Sequence, residues 1–234
     1  MTDTFDSIDW RQLWLEREAV RGKPDDAAYW NERAAAFSAH AASSPYAEGF
    51  LALLAPKPVS TVLDVGCGSG TLALPLAQLG HRVIALDFAE KMLEALEVSA
   101  REKGLSDAIT TRQLSWDDDW ASAGITDKSV DLCIASRSTM VADLWAALHK
   151  LDRVAREKVA VTMATEYSPH GMKRLGSATD GQAFYVPDFV YCVGMLLRMG
   201  AYPELRYLES VKHGDDGHDL LVRWAYLSWR PVSS

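Results

Sequence analysis

From residue 59 to residue 164 the chain alternates short, almost wholly apolar runs with longer stretches whose apolar residues recur every three or four positions. The runs are 61–65 (TVLDV), 82–87 (RVIALD), 130–135 (VDLCIA) and 158–164 (KVAVTMA), with a more polar one near 108–114. Continuous apolar runs of this length read as strands buried on both faces, as in a parallel sheet. The periodic stretches predict helices over 70–80, from Glu90 to about Lys103, and over 141–155, with Asp143 or a neighbour near the start of the last. Strands alternating with helices point to an α/β, doubly wound, mostly parallel sheet.

Both ends break this rhythm. Residues 5–55 carry no strand pattern; Trp10, Leu13 and Trp14 fall on one helical face, and Tyr29, Trp30, Ala34 and Phe37 on another. Asp25 or Asp26, behind Pro24, is placed to cap the second helix. Pro56 and Pro58 then separate this helical extension (1–58) from the rest. At the other end, a helix over 187–200 stops at Gly200. A strand over 204–210, the loop HGDDGH and a strand over 218–229 follow, which together read as an antiparallel hairpin. Residues 165–191, rich in Gly, Ser and aromatics, read as an insertion that caps a pocket.

The candidate chemistry starts where the first strand ends. TVLDVGCGSG runs directly into Gly66, Gly68 and Gly70 and then into a helical pattern. A chain gives up three side chains in five residues where its backbone must turn sharply and approach a ligand. Strand, glycine loop and helix is the setting in which a nucleotide-type ligand sits. A dinucleotide fingerprint would need its third glycine at position 71, which is Thr71; here it comes one residue early.

DVGCGSG, with Asp64 two residues before the first glycine, resembles motif I of the class I S-adenosylmethionine-dependent methyltransferases. The resemblance covers about residues 59–230 and implies a Rossmann-like seven-stranded sheet ending in an antiparallel hairpin. It implies S-adenosyl-L-methionine as cofactor, with S-adenosyl-L-homocysteine as product. By the family's pattern the loop of Gly66, Cys67, Gly68 and Gly70 would pass under the methionine moiety, with Asp64 hydrogen-bonding either to backbone or to the methionine amino group. Asp87, closing the second strand, would accept the ribose hydroxyls, or else cap the following helix; Phe88 would flank the adenine. At the third strand end Trp116 and Asp117 would meet the adenine, unless WDDDW is an exposed acidic turn. At the fourth, Ser136 and Arg137 would face the sulfonium and the substrate. Arg137 either holds a substrate carboxylate or is a surface residue. Tyr29, Phe37 and Tyr46 are candidates for folding over the cofactor, which would make the extension a lid. If the accepting atom needs a base, Glu166, Tyr167, His170, Tyr185 and Tyr191 cluster after the fifth strand; Arg137 is a further catalytic candidate, through its charge.

Composition narrows the partners. With net charge −8 and a pI near 5.2, the chain has no basic stretch with which to grip phosphates, which argues against nucleic acid and for a small-molecule substrate. The competing expectations are the same fold acting on tRNA or protein, and a non-catalytic cofactor-binding protein. A basic patch beside the pocket would favour the first; intact Asp64, Asp87 and loop glycines count against the second. Cys67, Cys133 and Cys192 form no C-x-x-C pair, and the six His show no zinc spacing, so no metal is expected. His213 and His218 flank a Gly/Asp loop. No apolar run reaches the ~20 residues that cross a bilayer, and the start of the chain lacks a signal pattern. These point to a cytoplasmic protein; a monomer or homodimer is expected, with nothing in the sequence choosing between them.

Overall fold

A computed structural model describes residues 7–21, 26–38, 44–165, 186–213 and 219–232. The sheet has seven strands: β1 (Thr61–Val65), β2 (Arg82–Asp87), β3 (Ile109–Gln113), β4 (Val130–Ser136), β5 (Ala155–Ala164), β6 (Glu204–His213) and β7 (Asp219–Trp229). Their order is β3-β2-β1-β4-β5-β7-β6. β1 to β5 pair in parallel, while β7 runs antiparallel to both β5 and β6. The expected doubly wound sheet with a terminal hairpin is therefore what forms. The order reverses at β1, between β2 and β4, so a crevice opens there at the carboxyl ends of the strands.

Strand periodicity explains why the central runs are apolar throughout. Leu63, Val65, Cys133, Ala135, Val159 and Val161 face one side of the sheet. There they pack under α1 (Trp10–Arg21), α6 (Leu144–Val154) and α7 (Asp188–Arg198). Val62, Val83, Ala85, Leu132, Ile134 and Ala160 face the other side. They pack under α3 (Pro45–Leu54), α4 (Ala73–Gln78) and α5 (Glu90–Glu102). Phe50 of α3 meets Tyr226 of β7 edge-on, with ring centroids 5.3 Å apart, and this seats α3 across the sheet.

Several boundaries differ from the sequence reading. The helix expected over 70–80 is the shorter α4, because the chain still turns at Gly70 (φ 95°) before the helix can start. β5 begins at Ala155, not 158, and follows α6 without a loop. Its polar first residues hide the strand: Arg156 pairs with Asp131 at 2.8 Å and Glu157 with Lys57 at 2.8 Å, both on the surface. β6 runs on to His213, which pairs with Asp219; loop residues 214–218 lie outside the described residues.

Among its described residues the extension forms three helices, with α2 spanning Ala27–Ser38. Asp26 Oδ1 accepts the Tyr29 N–H at 2.9 Å, so Asp26 supplies the cap. Asp143 does the same for α6, accepting from Ala146 N–H at 3.1 Å. Leu13 does not share the buried face: it is 42% exposed, whereas Trp14 is fully buried. It sits about 100° around the helix from Trp14, off the buried face.

α1 and α7 meet through Gly194, where an added Cβ would lie 2.2 Å from the Trp10 ring. Gly194→Ala must therefore separate the two helices. An expected loss of about 1–3 kcal/mol would appear as a lower midpoint in urea unfolding; an unchanged midpoint would refute this packing.

Candidate functional site

The chain leaves β1 into the crevice and turns at once. The Gly66 and Cys67 N–H groups both donate to the Leu86 carbonyl of β2, at 2.8 and 2.9 Å. This pins the loop to its neighbour strand. Gly66 has φ 70°, and a Cβ on it would lie 2.3 Å from Ser138 Cβ. Only glycine fits, because the segment after β4 presses against the loop there. Gly68 (φ 54°) has no atom closer than 4.0 Å to the place of a Cβ, so its backbone stays approachable. Gly70 closes the turn, its N–H donating to the Cys67 carbonyl at 3.1 Å. Cys67 is buried, and burial pushes its thiol well up.

Two carboxylates flank this loop. Asp87, at the end of β2, accepts the Gly68 N–H on Oδ2 at 2.8 Å and the Ala89 N–H on Oδ1 at 2.9 Å. It thus ties the glycine loop to the start of α5, and the N-cap position itself falls to Ala89. Each oxygen keeps a further lone pair. Burial raises the Asp87 carboxyl above its ordinary value, against the pull of those N–H bonds.

Asp64 is 2% exposed, and its Oδ2 is buried without a hydrogen-bond partner. Desolvation, reinforced by the nearby Asp87 charge and opposed by Arg137, pushes it up to about 7. A buried carboxylate oxygen with no donor is costly. At a strand end facing a crevice, it is the mark of a site built for a cation or a donor.

The third side comes from β4, β5 and the extension. Tyr46 of α3, buried, places its hydroxyl 2.7 Å from Ser136 Oγ and 2.8 Å from Thr162 Oγ1. Thr162 Oγ1 also accepts the Arg137 N–H at 2.9 Å. This holds Arg137 in the left-handed region at φ 59°, rare for a residue with a side chain. The guanidinium lies over the Tyr46 ring, 4.3 Å from its centroid. Ser138 Oγ donates to the Val65 carbonyl at 2.6 Å, which ties this segment back to β1.

Of the aromatics expected over the cofactor, the structure brings Tyr46 to the site. Tyr29 is 37% exposed, with Arg33 stacked 3.6 Å from its ring centroid, and the Phe37 side chain lies outside the described residues. α2 does border the crevice: Asn31 Oδ1 accepts the Lys91 N–H at 3.0 Å, and Ala34 packs on Ala89 and Met92. Half-buried Phe88 stands beside Asp87, its carbonyl accepting from Gln113 Nε2 at 3.3 Å.

Trp116 donates its indole N–H to the Ser138 carbonyl at 3.0 Å and packs on Trp120, with centroids 5.6 Å apart. It therefore borders the β4 segment. Asp117, Asp118 and Asp119 lie exposed. Asp118 accepts the Ser115 N–H at 2.7 Å and Asp119 the Ala121 N–H at 3.0 Å, so WDDDW is an acidic turn with packed tryptophans. Tyr191 lies between α1 and α7, edge-on to Trp14 at 5.9 Å and under Arg17 at 4.9 Å; its setting is the helix interface. Glu166, Tyr167, His170 and Tyr185 lie outside the described residues.

Sequence reasoning missed Thr162, Ser138 and Asn31. Thr162 did leave a signal, as the one hydroxyl in the apolar run VAVTMA. Asn31 left none, since its role depends on where α2 docks.

Comparison with known proteins bears on the family and the fold. A family model described as a methyltransferase domain matches residues 62–158. An uncharacterized protein of Haemophilus influenzae is 31% identical over 201 residues, covering 82% of this chain and 72% of its own. Nocamycin O-methyltransferase of Saccharothrix syringae is 30% identical over 150 residues, covering 59% of this chain. This chain spans about half that enzyme's length, 52%. Magnesium protoporphyrin IX methyltransferase of Synechocystis, solved with bound S-adenosylhomocysteine, superposes with a TM-score of 0.55 at 17% identity, covering 94% of each chain; at that identity the match speaks to the fold. The methyltransferase-domain match over residues 62–158, the methyltransferase relatives and a sheet of this order together place the chain in the class I S-adenosylmethionine-dependent methyltransferase family.

Proposed function

We propose that this protein transfers the methyl group of S-adenosylmethionine to a small-molecule acceptor by in-line displacement. The observation that carries the cofactor assignment is the orphaned Asp64 Oδ2 beside a glycine loop whose backbone stays open at Gly68. The donor set fits the cofactor. Asp64 would take the methionine ammonium, the 66–70 backbone the rest of that moiety, and the spare lone pairs of Asp87 the ribose hydroxyls. Phe88 and Trp116 would border the adenine. When bound, the cofactor supplies a methyl group on a positively charged sulfur, with a neutral thioether as leaving group.

The chain's own part is largely positioning, which can supply much of the rate in such a displacement. Asp87 fixes the loop and the start of α5 as one unit. Ser138 holds the β4 segment against Gly66. Burial raises the Tyr46 phenol above its ordinary value, so this hydroxyl serves as a hydrogen-bonding link and not as a base. An acidic net charge of −8 and the exposed Asp117–Asp119 turn near the crevice support a small acceptor over a nucleic acid. The Saccharothrix syringae relative, named for O-methylation of nocamycin, is consistent with such an acceptor.

Calorimetric titration with S-adenosylhomocysteine is the direct check. Micromolar binding, followed by turnover of S-adenosylmethionine in a metabolite screen, is the expected result. No binding would end the enzyme reading.

A further inference from the structure

The hydroxyl chain beneath Arg137 has a direction, and that direction says what the site receives. Thr162 Oγ1 accepts the Arg137 N–H and lies 2.8 Å from the Tyr46 hydroxyl. Among the described residues, Tyr46 is the acceptor within reach of the Thr162 proton. Each hydroxyl has one proton to give. Thr162 therefore donates to Tyr46, Tyr46 donates to Ser136 Oγ across 2.7 Å, and the Ser136 proton is left pointing out of the chain. Burying the link without satisfying it would cost free energy, so the polarity follows from the accounting.

Arg137 stands next to that proton. Its guanidinium is stacked on Tyr46, 4.3 Å from the ring centroid, and is exposed; its charge acts on Asp64, but among the described residues no carboxylate makes a contact ion pair with it. Stacking uses the face of the group and leaves its N–H edge available; guanidinium has no acceptor atom. The backbone that presents it is held at φ 59° by Thr162. A strained residue kept in place by the same hydroxyl chain is a constraint that a solvent-facing arginine would not need.

We propose that Ser136 and Arg137 form a donor-only subsite that binds a carboxylate of the methyl acceptor, which makes the acceptor a carboxylate-bearing small molecule. An ionised carboxylate only accepts hydrogen bonds and matches the guanidinium fork. Phosphate shares the acceptor chemistry, but its second charge would face Asp64 and Asp87 across the crevice. Ser138 against Gly66 holds the subsite beside the cofactor loop, where an acceptor must lie. This inference rests on the methyltransferase reading. It reassigns Ser136, expected from the resemblance to meet the cofactor, to the acceptor. Tyr46 and Thr162 are positioning residues.

The test uses the full chain at pH 8.5, above the titration of Asp64. S-adenosylhomocysteine is titrated first; benzoate and hexanoate are then titrated into the saturated complex, each against its neutral amide. We expect the wild type to prefer each acid over its amide by about tenfold or more. Arg137→Gln should erase that preference while holding S-adenosylhomocysteine within about threefold of wild type, and Arg137→Lys should keep part of it. Tyr46→Phe, which leaves both donors but removes their link, should weaken the preference without altering that of neutral amides. Equal binding of acid and amide to the wild type overturns the subsite alone. A large fall in S-adenosylhomocysteine affinity in Arg137→Gln also overturns it, by giving the arginine to the cofactor's carboxylate. Failure of the wild type to bind S-adenosylhomocysteine removes the methyltransferase reading beneath it.

Discussion

Asp87→Ala should reduce affinity for S-adenosylhomocysteine by a hundredfold or more while leaving the protein folded. The carboxylate now bridges Gly68 N–H and Ala89 N–H, and the proposed ribose hydroxyls would use its remaining lone pairs. Hydrogen bonds to a charged group contribute about 1.5–3 kcal/mol each, so two lost ribose bonds cost about 3 kcal/mol or more. Loosening of Gly68 adds to this, because the loop must then be ordered on binding. The fold should tolerate the change: burial already raises this carboxyl, so removing it also removes an unfavourable desolvation. Asp87→Asn separates charge from shape. One side-chain oxygen can still serve Ala89 N–H, but the amide nitrogen cannot accept from Gly68 N–H, and affinity should fall nearly as far. Calorimetry alongside a thermal melt checks both halves. Unchanged affinity in Asp87→Ala would falsify the ribose assignment; a collapsed melt would instead make Asp87 a structural tether.

Asp64, Asp87 and the glycine loop were legible in the sequence because each is set locally, by where an apolar strand ends and how many residues turn before the next helix. Strand ends at a reversal of sheet order are where such sites form. The first residues of β5 were not legible, because Arg156 and Glu157 face outward to pair with Asp131 and Lys57, and paired surface residues look like a loop. The Tyr46–Ser136–Thr162 link was hidden for a different reason. It joins residues 90 and 116 positions apart, and Tyr46 is brought there by the docking of α3, in which Phe50 seats against Tyr226. Helical spacing could propose Tyr46 among three aromatics; long-range packing selected it. Tyr29, on α2, lies at the surface under Arg33.

The second large effect is a pH dependence with opposite signs for the free and the bound protein. Asp64 stands at about 7 in the folded chain against an ordinary value of 3.8, because burial and Asp87 disfavour its charge. A group raised on folding stabilises the fold while protonated. Its contribution is complete below 3.8 and is lost as pH rises through 7. Between pH 6 and 8 the unliganded protein should therefore lose stability, and Asp64→Asn should flatten that trend and be the more stable form at pH 8. Binding reverses the preference, because a ligand ammonium pairs with the ionised carboxylate that burial alone disfavours. Affinity for S-adenosylhomocysteine should thus rise about tenfold per unit between pH 5.5 and 7, where one proton must leave for each ligand bound, and level off above. Calorimetry in two buffers of different ionisation enthalpy reads this proton directly: close to one released at pH 6, close to none at pH 8.5. Asp64→Asn should bind weakly at every pH and release none. An affinity that ignores pH in the wild type, with no proton released, would mean that the orphaned oxygen meets a neutral donor and that the ammonium lies elsewhere.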